Sequence, residues 1–233
     1  MRIAIISDIH SNLEALTKAM EIIDQQSIDE IICLGDIVGY GANPNECIEL
    51  VRQRCGVTIK GNHEDAVLDV TVADDFTDNA RAAILWTRKQ ITEENLAYIR
   101  SLSIDHRKND MLLVHSSPCE PQEWNYIFDE DTAARSFRCF SEPLCFIGHT
   151  HMPMMFSPNG HASAITNDER YLINVGSIGQ PRDRNTDLSF GIFDSRAWTY
   201  DNIRSSYDIA TAASKILNTT LPPKLGQRLF MGV

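Results

Sequence analysis

Side chains able to bind a divalent cation follow short apolar runs at five places in the chain. Ile3 to Ser7 precedes Asp8 and His10, Ile31 to Gly35 precedes Asp36, and Val57 to Gly61 precedes Asn62 and His63. Met111 to Val114 precedes His115, and Cys145 to Gly148 precedes His149 and His151. Five of the seven histidines fall in this set. Carboxylate, amide oxygen and imidazole donors together suit Mn2+, Fe or Zn2+, whereas an all-oxygen set would favour Mg2+ or Ca2+. Asp8, His10, Asp36, Asn62, His115, His149 and His151 exceed what one tetrahedral ion needs. Two ions about 3.5–4 Å apart, bridged by one carboxylate, would use them all and leave positions for water and substrate. Asp36, alone at the end of its run, is the natural bridge.

The elements that must position these groups follow from periodicity. Ile3 to Ser7, Ile31 to Leu34, Val57 to Lys60, Met111 to Val114, Leu144 to Ile147 and Tyr171 to Val175 read as buried strands. Leu13, Leu16, Met20 and Ile23 fall at helical spacing, and a second helix is predicted from Asn45 to Arg54. This β-α-β-α-β order favours a parallel sheet, with ligands at the carboxyl ends of its strands. A helical insert is expected over about 65–110, further strands at Ser189 to Phe193 and Ala197 to Ile203, and a closing helix over 208–217. The expectation is one domain over residues 1–233, since no repeat or linker divides the chain.

Composition narrows the function. With 233 residues, 43% of them apolar and 23% charged, the chain is long and apolar enough for a real core, which excludes disordered and coiled-coil classes. The net charge of −11 argues against nucleic-acid polymers and anionic membranes as partners, and leaves room for a small phosphate ester drawn to a metal site. The stretch from Pro143 to Asn167 lacks Asp, Glu, Lys and Arg, but its histidines and prolines exclude a membrane span. Six cysteines without a CxxC pair are expected to be reduced, and the absence of a signal-peptide pattern at Met1 points to the cytoplasm. Trp124, Tyr126 and Phe128 are expected to pack in the core, with base stacking as the alternative, and His106 and His161 to sit in solvated loops.

Asp8-Ile9-His10, Gly35-Asp36, Gly61-Asn62-His63-Glu64, His115 and Gly148-His149-Thr150-His151, in that order, resemble the calcineurin-like metallophosphoesterase family. Asn174 to Arg182 is similar to its small prokaryotic phosphodiesterase branch, including diadenosine-tetraphosphatase-like members. The resemblance implies a four-layer α/β/β/α sandwich with two mixed sheets. It also implies one metal on Asp8, His10, Asp36 and His151, a second on Asp36, Asn62, His115 and His149, and His63 as the group that protonates the leaving oxygen. The implied function is two-metal hydrolysis of phosphate esters on small or nucleotide substrates by a metal-bridging hydroxide. Arg182 and Asn12 are candidate substrate contacts, and the sequence leaves room for an oligomer. Gly35-Asp36-Ile37-Val38-Gly39-Tyr40-Gly41 lacks the second Asp and the Arg of the family's protein phosphatases, which leaves His63 without the acidic partner found there. Dinucleoside polyphosphate hydrolysis is the alternative within enzymes. A non-catalytic metal scaffold or sensor is the alternative outside them.

Overall fold

The computed structural model describes residues 1–233 and alternates strands with helices as the periodicity requires. The first half runs β1 (Arg2–Ile6), α1 (Leu13–Asp24), β2 (Glu30–Cys33), α2 (Pro44–Arg54), β3 (Val57–Thr58), α3 (Asn62–Leu68), α4 (Asp78–Gln90) and α5 (Glu93–Ser101). Next come β4 (Asp105–Lys108), β5 (Met111–Val114), α6 (Glu130–Ser136), β6 (Leu144–Ile147), β7 (Met154–Ser157), β8 (Gly160–His161) and β9 (Tyr171–Asn174). The hairpin of β10 (Leu188–Asp194) and β11 (Thr199–Ser205) precedes α7 (Ile209–Leu217), α8 (Pro223–Gln227) and a last 3-10 turn at Arg228–Phe230.

Two mixed sheets result, ordered β11-β10-β1-β2-β3 and β4-β5-β6-β9-β7-β8. The parallel core of β1, β2 and β3 matches the β-α-β-α-β reading, and β10 joins it antiparallel. The inner faces meet through Ile3, Ile5, Ile32 and Leu34 from one sheet and Leu113, Phe146 and Ile173 from the other. The outer face of the first sheet packs Ala4, Ile6 and Cys33 against the apolar stripe Leu16, Met20 and Ile23 of α1. Phe137 and Phe140, following α6, cover Val114, Cys145 and Ile147 on the second. Burying one of these larger aliphatic side chains contributes about 1.5–3 kcal/mol, so the clusters between the layers are the main support of the four-layer sandwich.

Three expectations need correction. Cys119 and Cys139 form a disulfide with Cα atoms 5.3 Å apart, tying the loop after β5 to the end of α6, while Cys33, Cys47, Cys55 and Cys145 are free. Their separation of 20 residues carries no local signature, so spacing could not reveal the pair. Tyr126 and Phe128 are 47% and 52% exposed rather than in the core; Ile127 between them is the buried residue. His106 and His161 lie on β4 and β8, not in loops. No helix is long and apolar enough to cross a membrane.

Candidate metal centre

β1, β2 and β3 of one sheet and β5 and β6 of the other end side by side, so residues distant in sequence converge at one edge of the sandwich. Asp8, His10, Asp36, His149 and His151 all adopt left-handed backbone, with φ between 51° and 68°. Such conformations cost about 1–3 kcal/mol each for residues other than glycine and cluster at functional sites. Here they turn side chains that would otherwise diverge along the strands into a common space.

The donor atoms form two groups that share Asp36. Ligand atoms of Asp8, His10, Asp36 and His151 lie within 4.8 Å of one another, as do those of Asp36, His115 and His149, and all six residues are buried. Each carboxylate divides its oxygens. Asp8 Oδ2 accepts the His149 backbone N–H at 3.0 Å, while Oδ1 has no hydrogen-bond partner. Asp36 Oδ1 accepts the His63 backbone N–H at 2.9 Å, and Oδ2 lies 3.3 Å from His115 Nε2 and 3.6 Å from His10 Nε2. Asn62 Oδ1 is buried without a partner.

The imidazoles are oriented from behind. Nδ1 of His10, His115 and His151 faces the carbonyls of Val38, Leu34 and Gln180 at 3.0, 2.9 and 2.6 Å. A carbonyl only accepts, so each Nδ1 carries a hydrogen and each Nε2 points inward; on His10 and His151 Nε2 keeps its lone pair, and on His115 it is the position where a cation would take the place of the second proton. His10 Nε2 and His151 Nε2 then oppose each other at 3.1 Å, two lone pairs with no hydrogen between them. Nε2 of His115 and of His149 is likewise buried and unbonded.

Electrostatics agree with this geometry. Burial disfavours charge on His115, yet the Asp36 and Asp8 carboxylates push its pKa up to about 9. Burial lowers His10 and His151 well below the usual imidazole range, and burial with the His115 charge brings His149 down to about 3. Converging bare oxygens and nitrogens that draw positive charge onto a buried ring fit divalent cations, and the mixed O/N chemistry suits Mn2+, Fe or Zn2+.

His63 opens α3 beside these groups. Its ring lies 4.7 Å from that of His10, 4.6 Å from Tyr40 and 5.3 Å from Phe76. No carboxylate orients it: Nδ1 is buried and unbonded, against Gly39, where an added Cβ would come within 2.1 Å. Gly39 also has φ +89°, so a side chain is excluded twice. Gly39→Ala is therefore expected to displace His63 and lower turnover about 100-fold, the scale of a 1 Å misplacement, with metal content retained. Metal analysis beside steady-state rates checks this, and unchanged rates would show that the contact does not set the ring.

Glu64, quoted in its sequence block without a role, is the hidden support of this corner. Its buried carboxylate accepts backbone N–H groups of Asp36, Ile37, Val38 and Gly61 at 2.7–3.1 Å. The loop carrying Asp36 is thus fastened to the start of α3. Close approach of the two segments also requires Gly61, where a Cβ would meet Asp36 Oδ1 at 2.2 Å.

Residues 1–197 match the calcineurin-like phosphoesterase superfamily domain. The chain belongs to this family. The phosphoesterase is 43% identical over 240 residues to an uncharacterised protein of Methanocaldococcus jannaschii, covering 99% of this chain and 98% of that one. A crystal structure of a metallophosphoesterase from Sphaerobacter thermophilus aligns with a TM-score of 0.90 at 39% identity, over 100% of this chain and 99% of the other. A putative diadenosine tetraphosphatase shares the fold at a TM-score of 0.56 and 13% identity, over 88% and 94% of the two chains. Family and neighbours identify a phosphoester-hydrolysing enzyme.

A cleft of about 770 Å³ adjoins the donor cluster of the phosphoesterase, lined by Asp36, Asn62, His63, His149 and His151 and by the aromatic residues Tyr40, Phe76, Trp124 and Tyr126. Arg182 lines it, donating to Gln180 Oε1 at 2.8 Å and to Tyr40 Oη at 3.4 Å. Asn12 does not face this cleft. It caps α1 by accepting the Ala15 N–H at 3.2 Å and gives its amide hydrogens to the Gly179 carbonyl and Tyr207 Oη, so it has no donor left for substrate. Tyr126 stacks on His149 with ring centroids 4.0 Å apart and on Phe128 at 5.1 Å. Sequence reasoning gave Tyr40 no role, though its place between two glycines after Gly35-Asp36 was the available signal.

Proposed function

We propose that the chain hydrolyses small phosphodiesters and nucleotide-type phosphate esters with two divalent cations. The seven residues expected from the sequence would hold them: Asp8, His10, Asp36 and His151 on one side, and Asp36, Asn62, His115 and His149 on the other. The observation that carries the reading is Asp36, whose Oδ2 faces imidazoles of both groups at 3.3 and 3.6 Å. When bound, the cations supply Lewis-acid polarisation of the phosphoryl oxygens and lower the pKa of water toward about 7.

The chain's own residues do the rest. Arg182 offers a planar, permanently charged donor to the phosphate oxygens. The aromatic side chains of Tyr40, Phe76, Trp124 and Tyr126 narrow the approach. A new O–P bond forms from water as the bond to the leaving oxygen breaks, and that oxygen needs a proton. Burial lowers His63 to about 4, so its ring is neutral at pH 7 and presents one N–H, rather than titrating near the working pH as expected from an exposed imidazole. The negative phosphate in the cleft raises the ring's proton affinity. Only the doubly protonated ring is acid enough for this step, so His63 would take up a second proton as the phosphate binds and pass it to the departing oxygen.

Dinucleoside polyphosphate hydrolysis is the second reading, favoured by exposed Phe128, which stacks on Tyr126 of the cleft lining and has its other side open for a base. The test is turnover by Mn2+-loaded protein of a phosphomonoester, bis(p-nitrophenyl) phosphate, ATP and a dinucleoside tetraphosphate. Preferred cleavage of the diester supports the first reading, and preferred cleavage of the dinucleotide the second. No turnover with two metals bound would favour a metal scaffold or sensor.

A further inference from the structure

The matched family domain ends at residue 197, and the helices that follow it return to the metal cleft. Leu221, Leu225 and Leu229 are buried in a cluster with Ala80 and Ala83 of α4 and with Tyr40, which fixes the closing turn in place. That turn delivers Arg228 to the cleft lining, beside Arg182. The two guanidinium carbons lie 6.0 and 5.7 Å from the Tyr40 ring centroid. Neither guanidinium donates to an Asp or Glu side chain, although Asp65, Asp75 and Glu123 line the same cleft. Arg228 Nε donates to the Val233 main-chain oxygen and its two amino groups have no protein acceptor; Arg182 keeps Nη1 free. Burial and the Arg182 charge make it harder for Arg228 to hold its proton. The two Arg228 amino groups and Arg182 Nη1 are therefore left as charged donors on one cleft lining, and a guanidinium matches phosphate oxygens bidentately.

We propose that Arg228, on the same cleft lining as Arg182, makes a second anion contact at the mouth of the cleft, so that the substrate carries a further phosphate beyond the one that Arg182 faces and that is cleaved. The substrate class is oligophosphate esters, and the tail beyond residue 197 is what selects them. This rests on the phosphoesterase reading for the cleaved phosphate, but the binding site itself does not. Cation–π contact with Tyr40 alone would explain the packing of both residues and predicts no effect on anions.

The experiment compares wild type, Arg228→Gln and Arg228→Lys. In Mn2+-loaded protein, the ATP concentration that half-saturates the enzyme, as substrate or inhibitor, is measured beside the KM for singly charged bis(p-nitrophenyl) phosphate. Tripolyphosphate binding to the chelator-treated, dialysed full chain is measured by calorimetry. Arg228→Gln is expected to weaken ATP about ten-fold relative to the diester and tripolyphosphate about ten-fold, the loss of one charge-assisted contact, with part recovered by Arg228→Lys. Equal changes for ATP and diester, or unchanged tripolyphosphate binding, would overturn the proposal. Absence of turnover on every ester would fault the hydrolase reading instead, and the tripolyphosphate titration would still decide the arginine pair.

Discussion

Asp36→Asn is expected to lower turnover about 10³-fold or more and to reduce bound metal below two equivalents. Asn preserves the shape of the side chain and can still accept the His63 backbone N–H that Asp36 Oδ1 accepts at 2.9 Å, so the start of α3 should survive. What changes is the other end. A carboxylate oxygen 3.3 Å from His115 Nε2 and 3.6 Å from His10 Nε2 becomes either a neutral oxygen or an N–H donor facing the donor cluster. Because both groups share this residue, one substitution weakens both, and several kcal/mol of Lewis-acid stabilisation correspond to about 10³ in rate. Inductively coupled plasma analysis alongside kcat checks the prediction. Retention of two full equivalents would contradict the shared carboxylate.

His63→Ala is expected to separate chemistry from metal binding. The ring contributes no atom to either donor group, so both metal equivalents should remain. General acid catalysis is worth about 10²–10⁴-fold, and its benefit is largest where the leaving oxygen is basic. Hydrolysis of an alkyl phosphodiester should therefore fall about 10³-fold, and that of a p-nitrophenyl ester, whose leaving group departs without a proton, much less. Equal losses on both esters would remove the proton-transfer role and leave His63 as a phosphate contact.

The donor residues were legible because strand ends are legible. An apolar run such as Ile3-Ala4-Ile5-Ile6 must be buried, and polar residues directly after it must lie where the sheet stops. The same logic located Asp36 after β2 and His149 after β6, and the parallel order of β1, β2 and β3 brought the first three blocks together. Periodicity is silent on what depends on long-range packing. Arg228 reaches the cleft only because Leu225 and Leu229 bury against a cluster that includes Tyr40. Tyr126 lies outside the core because the loop after β5 turns Ile127 inward, and hydrophobicity alone cannot decide between these neighbours. Asn12 shows the opposite error: a polar residue near the site whose hydrogen bonds are all spent on capping α1 and holding the Gly179 carbonyl. Short elements escaped too, since β8 has two residues and is defined by its pairing with β7 rather than by any pattern of its own.

The central claim, two cations sharing Asp36 in a hydrolytic site, is tested most directly by adding Mn2+ stepwise to chelator-treated protein while following both binding and bis(p-nitrophenyl) phosphate hydrolysis. The expected result is two equivalents bound per chain, with activity rising mainly as the second is taken up. Full activity at one equivalent, or two bound equivalents with no hydrolysis of any phosphoester, would contradict it.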